Sequence, residues 1–455
     1  MTRMMSGDVV EYDVVGVGFG PSNLALAIAI DEFNQSVSAR QRLLARFVER
    51  QPRFGWHRGM LLEDAMMQVS FLKDLVTLRN PASSFSFLSY LHSRGRLVDF
   101  INYASTFPTR IEFHDYLEWA AARFVAQVAY HSEAIGITPV RPPGAGEAAA
   151  CVDVVSNRSG GDVFRLRARN IVLATGLQPN IPDEVVLSDR VWHNRDLLTR
   201  VAALGAARPQ RLVVVGAGQS AAETVDYLHR RFPSATVCAV FARYGYSPAD
   251  DSSFANRVFD PAAVDDFYTA PESVKGLILG YHANTNYSVV DSELIEQLYH
   301  KHYQEKVTGA ERLQFFNVSR ITRLDDRADC VELVVESMVD GERELLVADA
   351  VVYATGYRPS DPSELLGDLV TVCERDGQGR FVIGRDYRIA TGSQVHAGIY
   401  VQGATEHTHG ISSTLLSNVA VRAGEIVAAV TDTAGDVAGC PSIVTASAGG
   451  PERPR

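Results

Sequence analysis

Long apolar runs are absent from this 455-residue chain: no stretch approaches the ~18 consecutive apolar residues of a membrane-spanning helix. An excess of positive charge is absent as well. With 43 Lys+Arg against 54 Asp+Glu the net charge is −11. This argues against a nucleic-acid partner, which would need a basic face, and no basic amphipathic helix offers itself to an anionic membrane. Cysteines are few: Cys151, Cys238, Cys330, Cys373 and Cys440 are far apart and odd in number, with no Cys-x-x-Cys pair. A reducing compartment without a disulfide framework is expected. No apolar core precedes Asp8, so a signal peptide is not expected and a cytoplasmic location is. The remaining composition, 46% hydrophobic and 21% charged, is ordinary for a globular protein.

What the chain does contain is a repeat. Residues 8–18 read as a strand feeding a glycine turn at Gly16, Gly18 and Gly20, with a helix from about Ser22 to Asp31 behind it. A second strand at 46–50 ends in Glu49. An irregular segment rich in aromatics and methionines (Trp56 to Phe71) gives way to helical patterns as far as about residue 128, and 167–179 is a strand leading into Ala-Thr-Gly. Then "RLVVVGAGQSAAETVDYLHRR" (211–231) repeats the strand, turn and helix. A strand at 236–245 and another Ala-Thr-Gly strand at 348–359 follow. The expected fold is α/β: two Rossmann-like dinucleotide-binding domains with a smaller, mainly helical substrate-binding region. The expected boundaries are 8–175 with 355–432, 176–245 with 290–354, and 246–289 for the helical region. Residues 433–455, small, polar and proline-containing, read as a disordered tail.

Such turns bring backbone N–H groups to a pyrophosphate at the positive end of a helix dipole. A side chain at Gly16 or Gly18 is expected to block that approach, and Pro21 replaces the usual third glycine or alanine, just after Gly20. Glu49 stands 33 residues past Gly16, at the strand end where an acid binds ribose hydroxyls and repels a 2′-phosphate. The second turn, Gly216-Ala217-Gly218-Gln219-Ser220-Ala221, is a regular G-x-G-x-x-A. Its following strand carries Arg243 and no acid. An arginine there can pair with a 2′-phosphate; the alternative is a solvent-exposed arginine near a loop. The two sites read as FAD first and NADPH second, and the missing Cys-x-x-Cys removes the disulfide reductases. His407 and His409 in "EHTHG" lack further ligands, so no metal is expected there. That segment reads as a turn before a helix starting near Ser412.

Four stretches narrow the reading: "MMQVSFLKDLVTLRNP" (66–81), "DDSSFANRVFDP" (250–261), "NTNYSVVD" (284–291) and "EHTHGISSTLLSN" (406–418). With them, in this order, the chain resembles the flavin-dependent N-hydroxylating monooxygenases of siderophore biosynthesis, from about residue 10 to about 430. These act on the side-chain amine of free ornithine or lysine, and the likeness is greatest to ornithine hydroxylases of actinobacteria. The Gly20-Pro21 ending is similar to that family too. No Phe-x-Gly-x-x-x-His segment lies between the nucleotide sites, so Baeyer–Villiger and general flavin-containing monooxygenases fit less well.

The resemblance implies a substrate site of Lys73, Asn256, Asn286 and Ser417. Lys73 would hold the carboxylate; the alternative is a surface lysine paired with Asp74. Around FAD it implies Glu49, Trp56, His57, Gln68 and Thr414, Leu415 and Leu416, besides the glycines and Pro21. Around NADPH it implies Gly216, Ala217, Gly218, Gln219, Ser220, Arg243, Asn286, Tyr287 and Ser288, although without gaps Ala242 falls on the family's arginine. It further implies flavin reduction by NADPH, oxygen addition at flavin C4a, and attack of a neutral amine on the resulting hydroperoxide. A homo-oligomer, dimer or tetramer, is expected. An NADPH oxidase without amine substrate, the same reaction on lysine, and a non-catalytic nucleotide-binding regulator are the alternatives.

Overall fold

Two sheets, one mixed and one parallel, organise the chain, each with a glycine turn at its centre. The computed structural model describes residues 10–141, 148–205 and 208–436. In the first unit β1 (Glu11–Val17) leads to α1 (Pro21–Ser36) and β2 (Ala45–Val48); α2 (Arg110–Ala121) and β3 (Val163–Leu173) follow. β1 lies between β2 and β3 and is parallel to both, with Val14 opposite Ala45 and Asn170. Val128–Ala129 extends the sheet beyond β2. Beyond β3 the antiparallel pair Cys151–Arg158 and Ser132–Val140 completes a seven-stranded sheet with Gly398–Val401, a parallel partner of β3 from far along the chain.

Burial on both faces explains why β1 reads as an unbroken apolar run. Val14, Phe47 and Val172 pack with α1 on one side; Val15, Val17, Val48 and Ile171 pack on the other. Gly20 caps α1 in extended backbone and Pro21 opens it, where a missing N–H costs nothing. Leu24 to Ile30 are all buried, and α1 runs to Ser36, five residues past the expected end.

The second unit contains β4 (Arg211–Val215), α3 (Gln219–Arg231), β5 (Thr236–Val240) and β6 (Ala350–Tyr353). Its five strands run in the order Leu313–Phe316, β5, β4, β6, Val191–His193, all parallel. β5 ends at Val240 rather than 245, because the next residues turn away to the loop holding Arg243. A three-stranded antiparallel sheet (Ser319–Asp326, Val331–Ser337, Arg343–Ala348) and the helix Ser292–Thr308 belong to this half, whereas the helices Pro261–Thr269 and Glu272–His282 reach the first unit, Asp265 pairing with Arg385 and Glu272 with Arg380. Just past each Ala-Thr-Gly the chain crosses between the units, and the two crossings pair as an antiparallel ribbon, Leu177–Pro179 with Tyr357–Pro359.

The last helix, α4 (Val419–Asp436), packs Ala423, Ile426 and Val427 into the α1 cluster. It starts later than the helix expected near Ser412; short 3-10 turns at Ile411–Thr414 and Leu416–Asn418 come first. α4 also continues four residues into the expected tail, the rest of which lies outside the described residues.

Candidate functional site

Backbone landmarks set the register of the two turns. Gly216 follows β4 with φ +136°, and Gly18 follows β1 with φ +83°. Each donates its N–H to the last carbonyl of the neighbouring strand, Val48 at 2.9 Å for Gly18 and Val240 at 3.1 Å for Gly216. A Cβ on Gly18 would stand 2.4 Å from the Ala174 carbonyl oxygen, and one on Gly216 2.3 Å from that of Ala354. Those are the alanines of the two Ala-Thr-Gly segments. Gly20 and Gly218 then cap their helices in the same extended conformation.

The first motif is therefore Gly18-Phe19-Gly20-Pro21-Ser22-Asn23, two residues later than the sequence reading placed it. Gly16 lies inside β1, where a Cβ would strike the Phe47 ring at 2.4 Å. The expectation that side chains at Gly16 and Gly18 would obstruct a phosphate is corrected: protein packing demands both glycines. Gly20 faces the cleft, and a Cβ there would meet nothing within 4 Å. Asn23 holds the third position, buried, donating to the Gly18 carbonyl at 2.7 Å.

One cleft of about 2870 Å³ joins the two units. Gly18, Gly20, Pro21, Glu49, Trp56, His57, Gln68, Thr414, Leu415 and Leu416 all line it. The Glu49 carboxylate accepts from Phe19 N–H at 2.7 Å and Gln51 N–H at 2.8 Å, so the acid is fixed at the turn by backbone donors. A glycine cradle open at Gly20, a helix N-terminus and a strand-end acid fit a dinucleotide with a free ribose, as FAD has.

At the second turn Gln219 and Ser220 line the same cleft, whereas Gly216, Ala217, Gly218, Arg243 and Ser288 are not in its wall. Arg243 is exposed and donates to the Ser288 carbonyl at 3.0 Å. Ser288 has φ +56°, and its Cα lies 3.5 Å from where a Gly218 Cβ would be. The structure thus brings Arg243, Ser288 and the second turn together. The counterpart of Glu49, the residue after the neighbouring strand, is the buried apolar Phe241. An acid-free turn with an arginine at its rim fits a nucleotide bearing a 2′-phosphate, as NADPH does.

Lys73, Asn256, Asn286 and Ser417 line the cleft too, from four separate segments. Lys73 is half-buried, burial lowers its pKa against an opposing pull from Asp260, and its Nζ lies 5.5 Å from the Phe259 ring centroid. Pairing with Asp74 is ruled out by geometry. Asp74 is buried and accepts from the backbone N–H of Val76, Thr77 and Phe87 and from the Thr77 hydroxyl. Among the described residues Lys73 forms no ion pair, so its ammonium is available to an anion in the cleft. Asn256 donates to the Asp251 carbonyl at 2.7 Å, which orders its loop. The Tyr287 hydroxyl donates to Glu406, tying the 284–291 loop to the first unit. His407 and His409 serve separate carbonyls, of Phe381 and Arg385, at 2.9 and 3.1 Å.

Sequence reading missed the residues that clamp the two units together. Arg110 on α2 forks onto Glu223 of α3 at 2.8 and 2.9 Å. Glu223 accepts from Gln219, whose own oxygen takes Asp291 N–H at 2.8 Å. Only the i, i+4 spacing of Gln219 and Glu223 hinted at part of this.

The family model described as L-lysine 6-monooxygenase/L-ornithine 5-monooxygenase matches residues 10–359. The L-ornithine N(5)-monooxygenase of Pseudomonas aeruginosa is 39% identical over 431 residues, covering 94% of this chain and 95% of that protein. Among solved structures, the ornithine N-hydroxylase of Kutzneria sp. 744 with reduced FAD, NADP+ and L-ornithine is 47% identical. Its TM-score is 0.88, with 93% of this chain and 99% of that one covered. The L-lysine 6-monooxygenase of Pseudomonas syringae is 33% identical with a TM-score of 0.81, covering 93% and 99%.

Proposed function

The chain belongs to the L-lysine 6-monooxygenase/L-ornithine 5-monooxygenase family, and from that premise we propose that it hydroxylates the side-chain amine of free L-ornithine, with FAD and NADPH as cofactors. The observation that carries the reading is Lys73: a cation without an ion-pair partner among the described residues, in one cleft with the first glycine turn and with Gln219 and Ser220 that follow the second. Bound FAD would supply the oxygen-activating chemistry and NADPH the reducing equivalents. The chain's own residues bind and orient. Lys73 holds the substrate carboxylate, while Asn256 and Asn286 can each accept from the α-ammonium or donate to the carboxylate. Ser417, buried at the wall, marks the amine end. The amine must react neutral, although an alkyl ammonium has a pKa of roughly 10 in water. A carboxylate in contact would hold it protonated, and none of these four residues is acidic. The Tyr287–Glu406 contact ties the loop proposed for the nicotinamide side to the first unit.

Ornithine is favoured over lysine by the relatives above, and one methylene is worth only about 1–3 kcal/mol in a pocket. Residues 8–175 with 355–432 are assigned to FAD, 176–245 with 290–354 to NADPH and 246–289 to substrate. The protein acts as a cytoplasmic homo-oligomer, its product entering hydroxamate biosynthesis of the siderophore type. Hydroxylamine formation and NADPH consumption, measured with ornithine, lysine and putrescine in parallel, test the assignment. NADPH oxidation that no amine stimulates, with peroxide as the sole product, overturns it. Light scattering of the purified protein tests the oligomer.

A further inference from the structure

Arg422, near the start of α4, is a buried cation with no carboxylate partner among the described residues. It is 2% exposed, and each of its hydrogen bonds goes to a neutral acceptor. Nε donates to Gln402 Oε1 at 3.1 Å, one terminal nitrogen to the Ser413 carbonyl at 2.6 Å and the other to Ser22 Oγ at 3.4 Å. The acid one turn on, Glu425, is gripped on both oxygens by Arg385 at 2.8 and 3.0 Å, while Arg385 also holds Asp265 at 2.6 Å, so Glu425 acts on Arg422 only through space. The Tyr387 ring, 6.0 Å from the guanidinium, contributes a weak cation–π contact. Burial pushes the Arg422 pKa down, yet a guanidinium does not give up its proton in a protein. Glu425 and Tyr387 offset part of the cost of this burial through space, but no carboxylate among the described residues hydrogen-bonds the guanidinium, and an anion at the first turn would complete the compensation.

Of the three partners of Arg422, one lines the cleft at the first turn and the other two adjoin residues there. Ser22 lines the cleft at the start of α1. Ser413 immediately precedes the cleft-lining Thr414 to Leu416, and its own buried hydroxyl has no partner among the described residues. Gln402 donates to Asn23 Oδ1 at 3.1 Å, and Asn23 donates to the Gly18 carbonyl. A continuous set of hydrogen bonds therefore runs from the glycine turn to the 413–416 segment, with Arg422 at its centre.

We propose that Arg422 is a positioning residue whose charge is completed by the bound dinucleotide: it is the fixed countercharge of the first turn, acting on anionic FAD through Ser22 and the 413–416 segment. The inference rests on the reading of this turn as the FAD site. It makes the arginine costly in the FAD-free protein and favourable in the loaded one, which a mere brace would not be.

The experiment strips FAD from the full-length protein and follows its rebinding by flavin fluorescence, for wild type, Arg422→Gln and Arg422→Lys. Thermal melting is recorded with and without FAD. Arg422→Gln should bind FAD about tenfold more weakly or worse, and Arg422→Lys should stay within about threefold of wild type. Without FAD, Arg422→Gln should melt at or above wild type, and the rise in Tm on adding FAD should be smaller than in wild type. Wild-type FAD affinity in Arg422→Gln overturns the proposal. So does an FAD-free Arg422→Gln protein that melts well below wild type or fails to fold, since Arg422 is then a brace. A wild-type chain that binds no FAD overturns the site reading as well.

Discussion

The two glycine turns share one backbone design and differ in the chemistry set around it. In both, a positive-φ glycine presses against the alanine of an Ala-Thr-Gly segment, and a second glycine caps the helix in extended backbone. The residue after the neighbouring strand then separates them. At the first turn it is Glu49, whose carboxylate seizes the N–H between the glycines; at the second it is Phe241, buried and apolar, with Arg243 two residues further on. The third motif position differs as well. The Asn23 amide donates to the Gly18 carbonyl at 2.7 Å and makes longer contacts, 3.4 Å, with those of Val17 and Val172, whereas Ala221 leaves the turn to pack by shape alone. Since the strand–turn–helix geometry is shared, the proposed nucleotide preference has to come from residues brought in from the adjacent strand end.

The largest effect is expected where the turns are alike. Gly18→Val and Gly216→Val each impose positive-φ strain of about 1–3 kcal/mol and overpacking of about 1–3 kcal/mol against an alanine carbonyl. Both should lower Tm or abolish soluble expression, whereas Gly20→Ala should keep the wild-type Tm. A well-folded Gly18→Val protein that has merely lost FAD would restore the phosphate-blocking explanation.

Lys73→Ala should spare both turns, and so separates them from the substrate. FAD content and basal NADPH oxidation should persist while ornithine hydroxylation falls by roughly 2–4 kcal/mol, about thirty- to nearly a thousand-fold in kcat/KM. The ratio of hydroxylamine to NADPH consumed should fall with it. A structural lysine would lower stability and leave that ratio intact.

Glu49→Gln tests the first side of the contrast. Losing a charge-assisted acceptor at Phe19 N–H should weaken FAD binding by about 1.5–3 kcal/mol, with the KM for NADPH unchanged. FAD titration of the stripped protein reads it directly. Arg243→Ala tests the other side and should be mildest, since the side chain is exposed: about 1.5 kcal/mol, near tenfold in KM for NADPH, with NADH little affected. An equal rise for both nucleotides would make Arg243 a brace for Ser288 alone.

Much of this was legible in the sequence, because strand, turn, helix and Ala-Thr-Gly are local patterns repeated in one chain. The register of the first turn was not. Three glycines alternate there, and the contact that assigns Gly16 to the strand comes from Phe47, 31 residues away. Lys73 was found through its surrounding motif, but only the fold shows that Asp74 is committed to three backbone N–H groups and leaves it alone. Arg422 escaped notice because an arginine on an amphipathic helix ordinarily lies at the surface; its burial depends on α1, some four hundred residues earlier. The clamp of Arg110 on Glu223 was hidden for the same reason.

The strand Gly398–Val401 has a consequence for how the chain is made. It completes the sheet beside β3, yet more than two hundred residues, the whole second unit among them, separate the two. At roughly 5–20 residues per second, a ribosome needs some tens of seconds to deliver it. Through that interval β3 is without that partner, and α1, apolar from Leu24 to Ile30, waits for α4 to cover it. The first unit to emerge is thus the last to close, the turn proposed to hold the flavin included. Nascent chains stalled before residue 398 should be the species that chaperones hold and proteases remove.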